Sequence, residues 1–442
     1  MRSFAIKDLY RFYTRHGFNP EIDIGEAVRL LLDDMEKGLG EDFQTASSMD
    51  MIPLWKTLPR GLPKNRRVIV IDAGGTNFRT CLVTFDESGT PRISDFYKHP
   101  MPALDREMTN EEFFGCIAAY LEPLKDKADT VSFCFSFAIK IDPDGGGEAI
   151  KLSKEIKLPQ IASCKINEGL KAALIKNGWQ TVKKVLMVND TAAVLQAGML
   201  FGQSGAHGFD SNIGFVLGTG LNSAYIEEAP IEKLKTTAFY GKPQIIVCES
   251  GKSCAVRQSG FDKELSKRSN LANDYFLERM CSGRYLGALC SIAIKKAAEE
   301  KLFSEDVCRS LLALEEMTSE SVSLFLKEQD HTAPPFSSVL KGALSGDYIK
   351  LRLICESVFE RAARLSAAVI AAACLKTGKG KTREKPVCIT ADGSTFLKGF
   401  LIKEKILFHL HTFLKEEKGV HFTVVTRPDS VIMGTALSAF LQ

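Results

Sequence analysis

The chain has 442 residues, 45% of them hydrophobic and 25% charged, with a net charge of +3. A chain of this size buries a large core and is expected to form two domains. So balanced a charge gives no field to gather nucleic acid or an anionic membrane, which leaves a small molecule as the expected ligand. The twelve cysteines include no C-x-x-C pair and fall inside apolar runs such as Val131-Ser-Phe-Cys134-Phe and Ala373-Cys374-Leu. That pattern suits buried free thiols in a reducing compartment better than zinc or a disulfide frame.

The opening MRSFAIKDLYRFYTRHGF alternates charge and aromatic residues too densely for a signal peptide and reads as an amphipathic helix. Helical periodicity runs through residues 1–50, and 51–66, rich in proline, glycine and basic residues, reads as a connector. The longest apolar run, Leu365 to Leu375, is about half of what a membrane span requires; the expected location is the cytoplasm. Strands are predicted at Val68–Ile71, Thr80–Phe85 and Ile93–Tyr97, joined by a Gly-Gly turn and by Asp86-Glu-Ser-Gly89 into an antiparallel meander. A helix capped by Thr109-Asn110 is predicted over Glu111–Lys125. Strands follow at Val131–Phe137, Val185–Val188, Ile213–Leu217 and Ser223–Glu227. Long helices are predicted over Asn273–Glu300 and Tyr348–Leu375, then strands at Val387–Thr390 and Phe422–Val425 and a final apolar helix after Ser430. The mixture predicts an α/β or α+β chain with three-layer packing.

One internal echo stands out. Ile69 to Asn77 (IVIDAGGTN) and Phe215 to Asn222 (FVLGTGLN) each give an apolar strand, a turn of Gly and Thr, an Asn, and another strand. If both turns bind one kind of group, two related halves face each other across a cleft. Glycine turns let backbone N–H groups approach an anion without Cβ obstruction, and Thr76 and Thr219 add hydroxyl donors. Asp72 would repel a bare phosphate, so its place at the first turn fits a divalent cation between the two, and the expected ligand is Mg-nucleotide. The alternative is a hairpin that needs positive φ at Gly74 or Gly75. Gly380-Lys381-Thr382 lacks the glycine of a phosphate loop five positions earlier and is assigned to a basic connector. Asn189-Asp190-Thr191 ends a buried-strand pattern before a helix. Asp190 there either caps the helix or serves as the base that takes a hydroxyl proton in phosphoryl transfer.

Together these segments resemble the eukaryotic-type hexokinases, whose fold is the two-domain actin-like ATPase (ribonuclease H-like) α/β fold with a cleft between a small and a large domain. Asp72-Ala-Gly-Gly-Thr-Asn-Phe-Arg79 is similar to the family's first phosphate motif and Leu217-Gly-Thr-Gly-Leu-Asn222 to its second. Asp392-Gly393-Ser394, with Ser430 through Gly434-Thr-Ala436, is similar to its adenosine-binding segment; Phe135-Ser136-Phe137 and Ser153-Lys154 resemble its sugar segments. The resemblance implies a small domain of 67–188 with the C-terminal helix 430–442, and a large one of 1–66 and 189–429. It implies that Ser136, Ser153, Lys154, Asn189, Asp190, Asn222, Glu249 and Glu278 contact a hexose, with Asp190 as the base. Asp72 would hold Mg²⁺ through water. Gly74, Gly75, Thr76, Asn77 and Arg79 would lie near the transferred phosphate, and Gly218, Thr219, Gly220, Asp392, Gly393, Ser394, Ser430 and Gly434 would hold ATP.

The chain departs from the family around the sugar. Ala138 replaces a proline, Leu152-Ser-Lys-Glu-Ile156 replaces Trp-Thr-Lys-Gly-Phe, Ser250-Gly-Lys-Ser-Cys254 replaces an aromatic stretch, and a Pro-Gly-Gln near Asn270–Asp274 has no clear counterpart. The implied activity is ATP-dependent phosphorylation of the 6-hydroxyl of glucose or a related hexose, the first step of glycolysis. A kinase for another hexose or an amino-sugar, and a hexose-binding sensor without turnover, are the alternatives.

Overall fold

The run beginning at Arg66 is buried for six consecutive residues, Val68 to Ala73, all apolar but Asp72, as a central strand is, and the computed structural model makes it the middle of a sheet. The structure describes residues 2–41, 47–56, 58, 61–74, 77–136, 138–151, 156–162, 164–201, 208–268, 274–327, 334–341 and 343–441. In chain order the strands are β1 (Ile52–Pro53), β2 (Arg66–Gly74), β3 (Asn77–Phe85), β4 (Pro91–Pro100), β5 (Thr130–Phe135), β6 (Ala138–Ile141) and β7 (Gly147–Lys151). These are followed by β8 (Lys184–Val188), β9 (Ser211–Leu217), β10 (Leu221–Glu227), β11 (Gln244–Val247), β12 (Val387–Asp392) and β13 (Phe422–Val425).

The first sheet is ordered β4-β3-β2-β5-β8 and the second β1-β11-β10-β9-β12-β13, with β6 and β7 forming a separate hairpin. In the first, β2, β3 and β4 form the expected antiparallel meander, and β5 and β8 add in parallel. In the second, β9, β10 and β11 repeat the meander, and β12 and β13 again add in parallel. The echo between the glycine turns thus extends to the strand order of both sheets.

The Asp190–Phe201 helix is buried on nearly every side and packs against strands of both sheets. The Ser430–Ser438 helix crosses it so closely that a Cβ on Gly434 would lie 1.7 Å from the Ala193 carbonyl oxygen. Behind the second sheet the Ser345–Thr377 helix forms a hydrophobic spine, pinned where both guanidinium nitrogens of Arg361 donate to the Asp262 carboxylate at 2.7 Å. Among the described residues no helix is long and apolar enough to cross a membrane. The cysteines are free, and nine of the twelve are buried.

The structure corrects three sequence expectations. The stretch 51–66 is not only a connector, because β1 adds to the edge of the second sheet beside β11, a place where Pro53 is tolerated. The helix predicted to Lys125 stops at Tyr120, since Pro123 falls in the next turn and forces a short 3₁₀ segment. The capping box of Thr109 and Glu112 does open that helix. The helix predicted over 273–300 is two, Phe276–Cys281 and Leu286–Glu299, broken around Gly283. The hairpin of β6 and β7, the strand β11 and the Ile166–Lys176 helix had no predicted counterpart.

Candidate active site

The turn between β2 and β3 closes on the pair Gly74 and Asn77; Gly75 and Thr76 lie outside the described residues. Asp72 lies just before it, 7% exposed, and across the ladder Arg79 donates to its carboxylate at 3.2 Å. Burial pushes the Asp72 carboxyl up to about 6, opposed by Arg79 and reinforced by the charges of Asp190 and Asp392. Three aspartates from three strand ends thus face one another with one guanidinium among them, a field that favours a divalent cation. Among the described residues no three acidic, His or Cys side chains form a ready ligand set. A Mg²⁺ here would keep most of its bonds to water and phosphate, which is how this ion is usually held. Asp72 through water fits that arrangement.

The second turn is built on mutual support. The Gly218 N–H donates to the Gly220 carbonyl at 2.9 Å, and the Gly218 carbonyl accepts from the Gly283 N–H and the Thr395 hydroxyl, each at 2.8 Å. Gly393 has φ +110°, and a Cβ there would stand 2.3 Å from the Leu217 carbonyl oxygen and 2.7 Å from the Gly218 nitrogen, so only glycine fits. Asp392 steadies this corner by accepting the Gly393 N–H at 2.6 Å. Next to it opens a cavity of about 750 Å³ whose lining includes Thr219, Arg284, Ser319, Lys327, Ser394 and Lys398. Of these, Arg284, Ser319, Lys327 and Lys398 went unnoticed in the sequence; the Ser-Gly-Arg interruption at 282–284 was the available signal. Ser430 is buried and spends its hydroxyl on the Arg427 carbonyl at 2.9 Å, and Gly434 lies at the helix crossing. Both occupy packing positions rather than the cavity lining.

At the tip of β8 the two readings of Asp190 separate. Asn189, not Asp190, caps the helix: its Oδ1 accepts the N–H of Thr191 at 2.9 Å and of Ala192 at 3.2 Å. The half-buried Asp190 carboxylate accepts from the Thr191 hydroxyl at 3.0 Å and from Ser136. Its enclosure raises the carboxyl above the ordinary aspartate range, with Asp392 adding to the rise. Ser136 itself is fixed at the end of β5 by donating its N–H to the Ala73 carbonyl at 3.0 Å.

Asn222, Glu249 and Glu278 also converge. The Asn222 amide donates to Glu249 at 2.8 Å, and Glu278 accepts the Leu221 N–H at 3.0 Å from behind the second glycine turn. Glu278 therefore points inward, although its helical context reads as a solvated face. Burial drives both glutamates up to about 7. Lys252 and the Asn222 amide oppose the rise for Glu249 while Asp50 and Asp190 add to it; the Leu221 N–H and Arg284 oppose it for Glu278 while Glu249 and Asp274 add to it. Glu249 has φ +55°, a left-handed backbone uncommon for a non-glycine residue. Ser153 and Lys154 lie outside the described residues.

The fold and site define a kinase of the mixed α/β, two-sheet type. Two family profiles, both described as hexokinase, match residues 19–200 and 212–441. Hexokinase-3 of Arabidopsis thaliana is 26% identical over 444 residues, 93% of this chain and 87% of that protein. Hexokinase-2 of Equus caballus is 25% identical over 88% of this chain, which spans only 43% of that protein. A hexokinase from Schistosoma mansoni, solved in complex with glucose, superimposes with a TM-score of 0.80 at 22% identity, covering 100% of both chains. The chain belongs to the hexokinase family, and is a hexose kinase that uses ATP.

Proposed function

We propose that this chain transfers the terminal phosphoryl group of ATP to the 6-hydroxyl of glucose or a close relative, with Asp190 as the base. The observation that carries this reading is the Asp190 carboxylate, left uncommitted by the helix cap and close enough to both Asp72 and Glu249 to act on their charges. The lobes are 67–188 with 430–442, and 1–66 with 189–429, and the hexose enters between them. Asn222, Glu249, Glu278 and Asn189 satisfy its ring hydroxyls, with Ser153 and Lys154 contributing from the small lobe. A site built on such bonds rejects an analogue lacking a hydroxyl by as much as ~10⁴ to 10⁵.

Asp190 accepts the proton of the attacking hydroxyl as the new bond forms, while Thr191 and Ser136 hold its carboxylate in place. The cavity beside Thr219 and Ser394 receives the nucleoside, and the N–H groups of the two glycine turns lie against the phosphates. Mg²⁺, when bound near Asp72, supplies charge neutralisation for the phosphates. Exclusion of water matters because water is a competing nucleophile. Cytoplasmic glycolysis is the setting in which such an enzyme works. ADP release measured with glucose, mannose, fructose and glucosamine tests the reading. Turnover on one or more is expected, and their kcat/KM ranking names the substrate. Sugar binding without ADP release from any of them would make the protein a sensor instead.

A further inference from the structure

The stretch that stands after Glu249 in place of the family's aromatic one contains a lysine, Lys252, and the structure gives that lysine partners on three segments. Lys252 donates to Asp50, just before β1, at 2.7 Å. Its ammonium lies 5.6 Å from the centre of the Tyr275 ring, within cation–π range. It is also close enough to Glu249 and Asp274 to feel their charges. Tyr275 immediately precedes the helix that carries Glu278 and, like Glu249, has φ +55°. An aromatic residue persists in that backbone region only where its surroundings hold it. The Asp274 carboxylate accepts the Tyr275 N–H at 2.8 Å, and the Tyr275 phenol is raised well above its ordinary range by burial, then by Glu249, Asp274, Glu278 and Asp50.

We propose that Lys252 is a positioning residue for the sugar-binding glutamates. Through Asp50 and the ring of Tyr275 it ties the turn carrying Glu249 to the helix carrying Glu278, and its ammonium offsets the carboxylates crowded around Glu249. The charge inventory requires such a group. Glu249 is faced by Asp50 from the segment before β1, by Asp190 from the tip of β8, by Glu278 and Tyr275 from the 276–281 helix region, and by the neutral amide of Asn222 from β10. Among the described residues the cations that act on these carboxylates are Lys252 on Glu249, and Arg284 and Arg279 on Glu278. Burial alone would push the Lys252 ammonium down, yet Asp50, Glu249 and Asp274 hold it above the ordinary lysine range, so it remains a full positive charge at working pH. This inference rests on the hexose-kinase reading.

The test compares Lys252→Met and Lys252→Arg with the wild-type chain. Lys252→Met is expected to raise the hexose KM about tenfold while kcat stays within about threefold, the split expected when ground-state binding is lost. It should also move the acid limb of kcat/KM to higher pH by about half a unit or more, because an opposing charge has been removed. Lys252→Arg should restore both. A folded Lys252→Met with an unchanged hexose KM and an unmoved acid limb overturns the proposal, as does a variant whose only change is a lower Tm. If Lys252→Met does not fold, Tyr275→Leu keeps the charge and removes the ring. It should raise the hexose KM, and an unchanged value counts against the proposal. A wild-type chain that turns over no hexose sinks the functional reading alone, since calorimetric glucose affinity of the same variants still reads out Lys252.

Discussion

Asn189 takes the helix cap that Asp190 would otherwise occupy, and so leaves its neighbour's carboxylate to the hydroxyls of Thr191 and Ser136. The side-chain oxygen two residues before Thr191 satisfies the first free N–H groups of the helix, and the next residue is spared for chemistry. Asp190→Asn should therefore lower kcat by ~10² to 10⁴, the usual worth of a general base, with hexose affinity within about tenfold of wild type. Single-turnover rates and calorimetric sugar binding measure the two. Asn189→Ala should in turn cost roughly 1 kcal/mol of stability by loss of the cap.

Gly434→Ala separates a packing role from a nucleotide role. A methyl group there meets the Ala193 carbonyl oxygen at 1.7 Å, and neither backbone can yield without opening the helix crossing. Overpacking of this kind costs about 1–3 kcal/mol or more. A lowered Tm with an unaltered ATP KM in the surviving fold is expected, and an ATP KM raised at unchanged Tm would return Gly434 to the nucleotide.

Gly393→Ala should do the opposite. The φ of +110° and the approach to Leu217 and Gly218 place its strain inside the second glycine turn. Strain of this kind is of order 1–3 kcal/mol. The ATP KM should rise at least severalfold while glucose affinity, measured without nucleotide, stays near wild type.

The two glutamates at about 7 make sugar binding depend on pH. Hexose hydroxyls donate to the ionised forms, so binding near neutrality should release protons, and affinity should fall as pH drops from about 8 to 6. Calorimetry in two buffers of different ionisation enthalpy reads the release directly; identical apparent enthalpies would contradict it. The linkage to stability has the other sign. Between the ordinary glutamate range and about 7 the folded chain holds more protons than the unfolded one, so this pair lowers the stability of the sugar-free protein as pH rises through that window. Bound hexose should reduce that loss, which Tm measurements from pH 5 to 8 with and without glucose would follow.

What the sequence disclosed and what it hid follow from the range of the forces involved. The glycine turns, Asp72 and the apolar strands were legible because each is a local pattern, and the repeated turn foretold the matched sheets. The break at Gly283 shows locally only as the Ser-Gly-Arg interruption, and what holds it is distant, the Gly218 carbonyl that takes the Gly283 N–H. The inward turn of Glu278 was hidden for the same reason, since its partner is the Leu221 N–H on another element. The choice between Asn189 and Asp190 as cap depends on side-chain direction at two adjacent polar residues, which spacing does not encode. The short strands β1 and β11 carry too few residues to show a period.

The face of the first sheet bearing Val68, Val70, Cys81, Val83 and Phe85 is covered by Leu200 and by Ile432, Met433, Ala436 and Leu437 of the 430–438 helix. During synthesis those strands leave the ribosome long before their lid does. A nascent chain therefore carries a bare, sticky surface for most of its translation, since domains complete only when all their segments have emerged. Chaperone demand on this protein should fall abruptly once the 430–438 helix has emerged, and a chain cut short before that helix should aggregate rather than fold.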